Sequence, residues 1–189
     1  MIMKEHAKAI AISICSATIA LGATPSWAAG SHGHGGTAAI GGPGTAAKTT
    51  RTIEIKMVDS AYAPKKISVK EGETVRFIVR NEGELVHEFN IGTTAMHRAH
   101  QDEMMKMMES GALEADMIGQ KMKNMGLGAA NSMTHDDPNS ILLAPGKTGE
   151  VVWTFAKTSN IEFACNVPGH YEYGMRGEIH FDGPKKTSP

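Results

Sequence analysis

Cysteine is almost missing from this chain, with only Cys15 and Cys165 in 189 residues. Cys15 lies in an apolar run from Ala9 to Leu21 that follows Lys4 and Lys8 and leads to small residues ending Ser26-Trp27-Ala28-Ala29-Gly30. A basic start, an apolar middle and a small-residue end read as a secretory signal over residues 1–29, cut after Ala28 or Ala29. The other reading, a transmembrane anchor, needs about 20 apolar residues, and this run is shorter. Cleavage removes Cys15 and leaves a single thiol, which excludes an internal disulfide. Cys165 is then either a buried inert residue or a reactive or metal-binding one. Excess charge is missing too: 19 Lys and Arg against 20 Asp and Glu give a net charge of -1, which gives no support for nucleic-acid binding. No further apolar run is long enough to cross a bilayer, so no membrane span is expected after cleavage. Residues 30–50 are mainly Gly, Ala, Ser, Thr and His, with few core-forming groups, and read as a flexible tail.

From Arg51 the pattern changes. Thr52–Met57, Lys66–Lys70 and Glu73–Arg80 alternate with period two, and Leu85–Ile91, Glu150–Phe155, Ile161–Cys165 and Gly177–Phe181 continue the series. Short strands separated by Gly, Asn and Pro predict an all-β sandwich or barrel. The Lys70-Glu71-Gly72-Glu73 turn predicts a hairpin. Between about 94 and 140 the strand pattern stops. Thr94 is placed to cap a helix from Ala95 to Glu109, ended by Ser110-Gly111, and a second helical segment is expected over 112–124. Most of the 13 methionines fall in this stretch. It is a partly helical, Met-rich insertion, too long for an ordinary hairpin loop. The domain is thus expected over 51–183, followed by a short tail at 184–189.

The stretch 165–175 reads Cys-Asn-Val-Pro-Gly-His-Tyr-Glu-Tyr-Gly-Met. It offers a thiolate at Cys165, an imidazole at His170 and a thioether at Met175. With a second imidazole from His87, on an upstream strand, this is the ligand set of a mononuclear type 1 copper site. Each residue alone has a plainer reading, His87 as a structural strand residue and Cys165 as core; jointly they point to copper. Two imidazoles suit both oxidation states, the thiolate binds strongly, and the thioether is a weak axial ligand favouring Cu(I). Pro168 stiffens the loop and Gly169 and Gly174 permit its tight path. Structural zinc would require paired Cys and His. A dinuclear copper centre would require a second thiolate. The flanking Ala164 and Asn166 leave no route to a trinuclear oxidase cluster, so the chain is read as a non-enzyme.

These residues resemble those of the cupredoxins, the small blue-copper proteins related to plastocyanin, azurin and rusticyanin. The resemblance covers about Arg51 to Asp182 and implies a Greek-key β-sandwich with His87, Cys165, His170 and Met175 as copper ligands. The insertion, with His-Arg-Ala-His at 97–100, Met-Met-Lys-Met-Met at 104–108 and His-Asp-Asp-Pro-Asn-Ser at 135–140, is similar to the periplasmic copper-tolerance cupredoxins of Gram-negative bacteria, the CopI-like proteins. Plastocyanin and azurin have Asn after the first His, where its side chain ties the two ligand loops together; this chain has Glu88.

Met96, His100, Met104 and Met108 fall along one face of the expected helix. Two readings stand for them: a second, Cu(I)-binding site or docking face for a copper donor, and a packing face against the β domain. His32 and His34 read either as weak copper scavengers or as part of a linker. Function divides in the same way. A periplasmic protein of copper tolerance, binding copper and handing on the ion or an electron, and a soluble electron carrier of a respiratory chain would share this site. The soft ligands of the insertion favour the first.

Overall fold

The computed structural model describes residues 37–117, 128–129, 132–133, 137–158 and 160–182. The expected signal, His32 and His34, the greater part of the expected second helix, Met122, Met125, His135 and the tail at 184–189 lie outside them.

Two sheets face each other across one apolar core. The first takes the order β1(Gly41–Pro43), β10(Thr148–Phe155), β5(Thr74–Asn81), β2(Arg51–Val58), β3(Ala61–Ala63). The second takes the order β4(Lys66–Val69), β12(Arg176–Phe181), β11(Ile161–Ala164), β6(His87–Thr93), β9(Ser140–Leu143), β8(Ser132–Met133), β7(Gly128–Ala129). Period-two patterning decides which side chains meet. Val75, Phe77 and Val79 of β5 point inward beside Trp153 and Val151 of β10, while Arg76 and Arg80 face water. Ile55 and Met57 of β2 and Phe89, Ile91 and Phe163 of the second sheet complete the core. Each such side chain contributes about 1.5–3 kcal/mol on burial.

Three expectations are corrected. The Lys70–Glu73 turn forms, with Glu73 N–H donating to the Lys70 carbonyl at 3.0 Å and Gly72 at φ +75. It joins no hairpin, because β4 pairs parallel to β12 in one sheet while β5 lies in the other. Ile67 and Val69 bury their side chains in the core rather than pairing with β5. The tail expected over 30–50 is structured from residue 37. A short helix α1(Thr37–Ile40) leads into β1, which pairs with β10, and Ile40 is fully buried with its carbonyl accepting the Trp153 indole N–H at 3.2 Å. One apolar side chain and one edge strand anchor a segment whose composition reads as linker.

The third correction concerns the insertion. Its helix, α2(Thr94–Glu109), is capped by Thr93 rather than Thr94: the Thr93 hydroxyl accepts the Met96 N–H, and Thr94 donates instead to Glu162. Ser110 and Gly111 end it as expected, with Gly111 at φ +70. No helix restarts over 112–117. The Ala112 and Leu113 N–H groups fold back onto the Met107 carbonyl, Leu113 enters the core, and the Ala115 carbonyl accepts the Val86 N–H. Helix α2 lies against β6 and β11, so β6 is buried on both faces from His87 to Gly92. That explains why the Leu85–Ile91 segment does not alternate cleanly.

Candidate metal centre

His87 opens β6, and Cys165 follows the last residue of β11. The pairing of these neighbouring strands, Ala164 opposite Asn90, carries both residues to the same end of the sandwich. The loop from Cys165 then closes on itself. The Cys165 N–H donates to the Met175 carbonyl at 3.1 Å, the Met175 N–H to the His170 carbonyl at 3.0 Å and the His170 N–H to the Val167 carbonyl at 2.9 Å. Gly169 and Gly174 take φ of +87 and +92, the left-handed region that a side chain would disfavour. The result brings His87 Nδ1 to 3.2 Å from His170 Nδ1, and Cys165 Sγ to 3.3 Å from the same nitrogen. The ligand atoms of His87, Cys165 and His170 all lie within 4.8 Å of one another. Met175 is fully buried at the end of the same loop.

The chemistry of this donor set fits a soft or borderline cation. Complete burial pushes the Cys165 thiol up to about 12, against some help to the thiolate from backbone N–H groups of Glu88, at 3.3 Å, and Val167. A thiolate is stable there only with a cation beside it. Burial lowers His87, more than its bond to Asp59 raises it. Burial and the neighbouring His87 lower His170. Both rings are therefore neutral at pH 7, the form that ligates.

Around this cluster stand partners that sequence reading missed. Asp59 Oδ1 accepts from His87 Nε2 at 2.9 Å, and the bond holds the Asp59 carboxyl below its usual range. With Nε2 carrying the proton, Nδ1 presents a lone pair toward Cys165 and His170. Asp59 also accepts the Glu84 and Leu85 N–H groups, at 3.1 and 3.3 Å. Its place in a turn after β2 gave no sequence signal. Glu88 is fully buried. Its Oε2 accepts the Asn166 N–H and side-chain amide at 3.2 and 2.8 Å, and its Oε1 accepts from Ser140 at 2.6 Å and His100 at 2.9 Å. The two ligand segments are therefore tied by a carboxylate.

The insertion residues lie on the inner side of α2. His100 and Met104 are buried, and Met96 and Met108 pack against the core. His100 holds Glu88 through Nε2 and Glu103 through Nδ1. Burial lowers His100, and the Glu88 carboxylate more than reverses this, raising it from 6.5 to about 9. A basic group raised on folding adds stability that is complete below its unfolded value and is lost as pH rises through the folded one. The contribution, on the order of 3 kcal/mol, should therefore fade between pH 6.5 and 9. Urea unfolding of the protein and His100→Gln checks this: the stability gap between them should shrink across that window, and a constant gap would contradict the pairing.

The sandwich and its Cys–His–His cluster define a cupredoxin-like protein. The Cupredoxin-like domain family model matches residues 19–108, a span that includes His87 and stops before the Cys165 loop. Among solved structures, auracyanin B superposes with a TM-score of 0.52 at 18% identity, over 76% of this chain and 95% of that one, a likeness of fold. The copper-resistant cuproprotein CopI of Pseudomonas aeruginosa is 48% identical over 147 residues, 75% of this chain and 81% of the relative. The protein of that name from Rubrivivax gelatinosus is 40% identical over 152 residues, 80% of this chain and 78% of the relative. The chain belongs to the CopI family of copper-resistant cuproproteins.

Proposed function

We propose that this chain is an exported, periplasmic protein of copper tolerance that holds one copper ion at His87, Cys165, His170 and Met175. The supporting observation is the meeting of a single buried thiol with two neutral imidazoles, all within 4.8 Å. Copper bound there would supply a one-electron couple. The protein's part is to keep the donors fixed: Asp59 sets the His87 tautomer, the Gly-bent loop holds His170 and Met175, and Glu88 ties that loop to β6. The signal over residues 1–29 is removed on export in this reading. Membership of a copper-resistance family favours protection over service as a respiratory electron carrier, and the flanks of Cys165, Ala164 and Asn166, favour binding over oxidase chemistry. Met96, His100, Met104 and Met108 are assigned to packing, because His100 already holds two carboxylates and Met104 is sealed in the core.

Deleting the gene and growing cells on graded copper tests the proposal. Growth should fail at copper levels the parent tolerates, and be restored by the intact gene. The purified protein should take up one copper per chain, with a visible absorption band. A respiratory defect at ordinary copper, without copper sensitivity, would favour the electron carrier; two coppers per chain under reducing conditions would return the Met face to metal binding.

A further inference from the structure

We propose that the Glu88 carboxylate, clamped between His100 of α2 and Asn166 of the Cys165 loop, is a positioning group through which the helical insertion governs how firmly the Cys165 sulfur is held. This rests on the copper-binding reading above. Glu88 touches the sulfur's surroundings twice. Its backbone N–H donates to Cys165 Sγ at 3.3 Å, and its Oε2 accepts two bonds from Asn166, the next residue in the chain. Its carbonyl accepts the Tyr62 hydroxyl, which fixes the strand at that point. The other oxygen reaches the opposite way, to Ser140 on β9 and His100 on α2. His100 is in turn held by Glu103 one turn along the helix, and Thr93 caps the helix start. A residue with one acceptor could serve the loop or the helix; a carboxylate serves both at once.

The clamp carries force because it is buried. A carboxylate sealed from water must keep its partners, and removing one leaves an uncompensated charge that drags on the others. Loss of His100 would therefore be felt at Asn166 and at the sulfur beside it. A helix serving only as a cover would need no more than apolar packing, and Met104, fully buried in the core cluster, supplies that already.

The test separates positioning from mere stabilisation. Glu88→Gln, His100→Ala and His100→Gln are compared with Met104→Ala, which removes buried packing from the same helix and leaves the clamp intact. Two quantities are read: the rate at which iodoacetamide alkylates Cys165 in the metal-free protein, and the rate at which a chelator strips copper from the loaded protein, alongside its visible spectrum. Glu88→Gln and His100→Ala should speed alkylation about tenfold or more, through local opening of the loop. They should speed copper loss by roughly 10–100-fold and shift the visible band. His100→Gln, which retains an N–H donor, should recover part of both effects. Met104→Ala should lower the melting temperature with less than about a twofold change in either rate. The proposal falls if Met104→Ala changes the rates as much as His100→Ala does, or if the clamp variants behave as the parent. Should Glu88→Gln fail to fold, the two His100 variants decide. A parent protein that takes up no copper would instead defeat the copper reading, and the alkylation rates would still judge the clamp.

Discussion

Cys165→Ser is expected to give a folded protein with no visible charge-transfer band and a loss of copper affinity greater than the roughly 10–100-fold that follows removal of an outer partner. Folding should survive because Cys165 sits fully buried in a loop held by backbone bonds, the Cys165 N–H to Met175 and the Met175 N–H to His170. Serine keeps those bonds and changes one atom. That atom decides the chemistry. A hydroxyl does not ionise near neutral pH and is a hard oxygen donor, whereas a thiolate is soft and supplies the electron density behind an intense transition. The metal-free thiol, pushed up to about 12 by burial, is protonated at pH 7. Copper uptake by the parent should therefore release about one proton per ion, and His87 and His170, already neutral, should release none. Both the band and the proton should vanish in the variant. A coloured Cys165→Ser protein would overturn the ligand assignment, because Cys15, the other thiol in the sequence, belongs to the segment assigned to the signal.

How much of this was readable in advance depended on how local the determining interactions are. The strands with one face in the core announced themselves: Val75, Phe77 and Val79 alternate with Thr74, Arg76 and Arg80, and the sandwich follows. The candidate donors of the loop, Cys165, His170 and Met175, stand out because they are close in sequence and carry distinctive chemistry, and His87 because it interrupts a strand-like run; the structure brings His87, Cys165 and His170 within 4.8 Å of one another. What could not be read depends on distant partners. Ile40 is fully buried and its carbonyl is held by Trp153, 113 positions away, while its own Gly- and Ala-rich neighbourhood says linker. The Lys70–Glu73 turn has hairpin residues, but the two sheets compete for its flanks and the apolar faces win. Glu88 stands where plastocyanin and azurin have Asn, yet its partners Asn166, Ser140 and His100 come from three separate segments, two of them at opposite ends of the insertion. Asp59, 28 positions from His87, is an ordinary turn aspartate until the fold brings it to the ring.

The contact between Asp59 and the His87 ring makes Gly83→Ala, in the segment joining β5 to β6, the second large effect. Gly83 does not take a positive φ, so backbone strain is not the issue; space is. A Cβ there would collide with Asp59 Oδ1, meet His87 Nε2 at 2.9 Å and press on the Asp59 backbone nitrogen at 3.1 Å. The backbone on both sides is pinned. Asn81 accepts the Gly83 N–H at 3.0 Å and donates to the Leu85 and Leu143 carbonyls, and Asp59 holds the Glu84 and Leu85 N–H groups. The easiest relief is for the Asp59 carboxylate to swing out, since it is already part-exposed. His87 then loses the acceptor that keeps its proton on Nε2, and Nδ1 is no longer fixed as the free lone pair. Copper affinity should fall about 10–100-fold with the visible band retained, because Cys165 is untouched; stability should drop by about 1–3 kcal/mol from overpacking. Asp59→Ala should reproduce the loss of affinity without the crowding, and Gly42→Ala, where a Cβ meets nothing within 4 Å, should leave both quantities near the parent's. Normal affinity in Gly83→Ala and Asp59→Ala alike would mean that packing alone holds the His87 ring, and that Asp59 has no part in presenting its nitrogen.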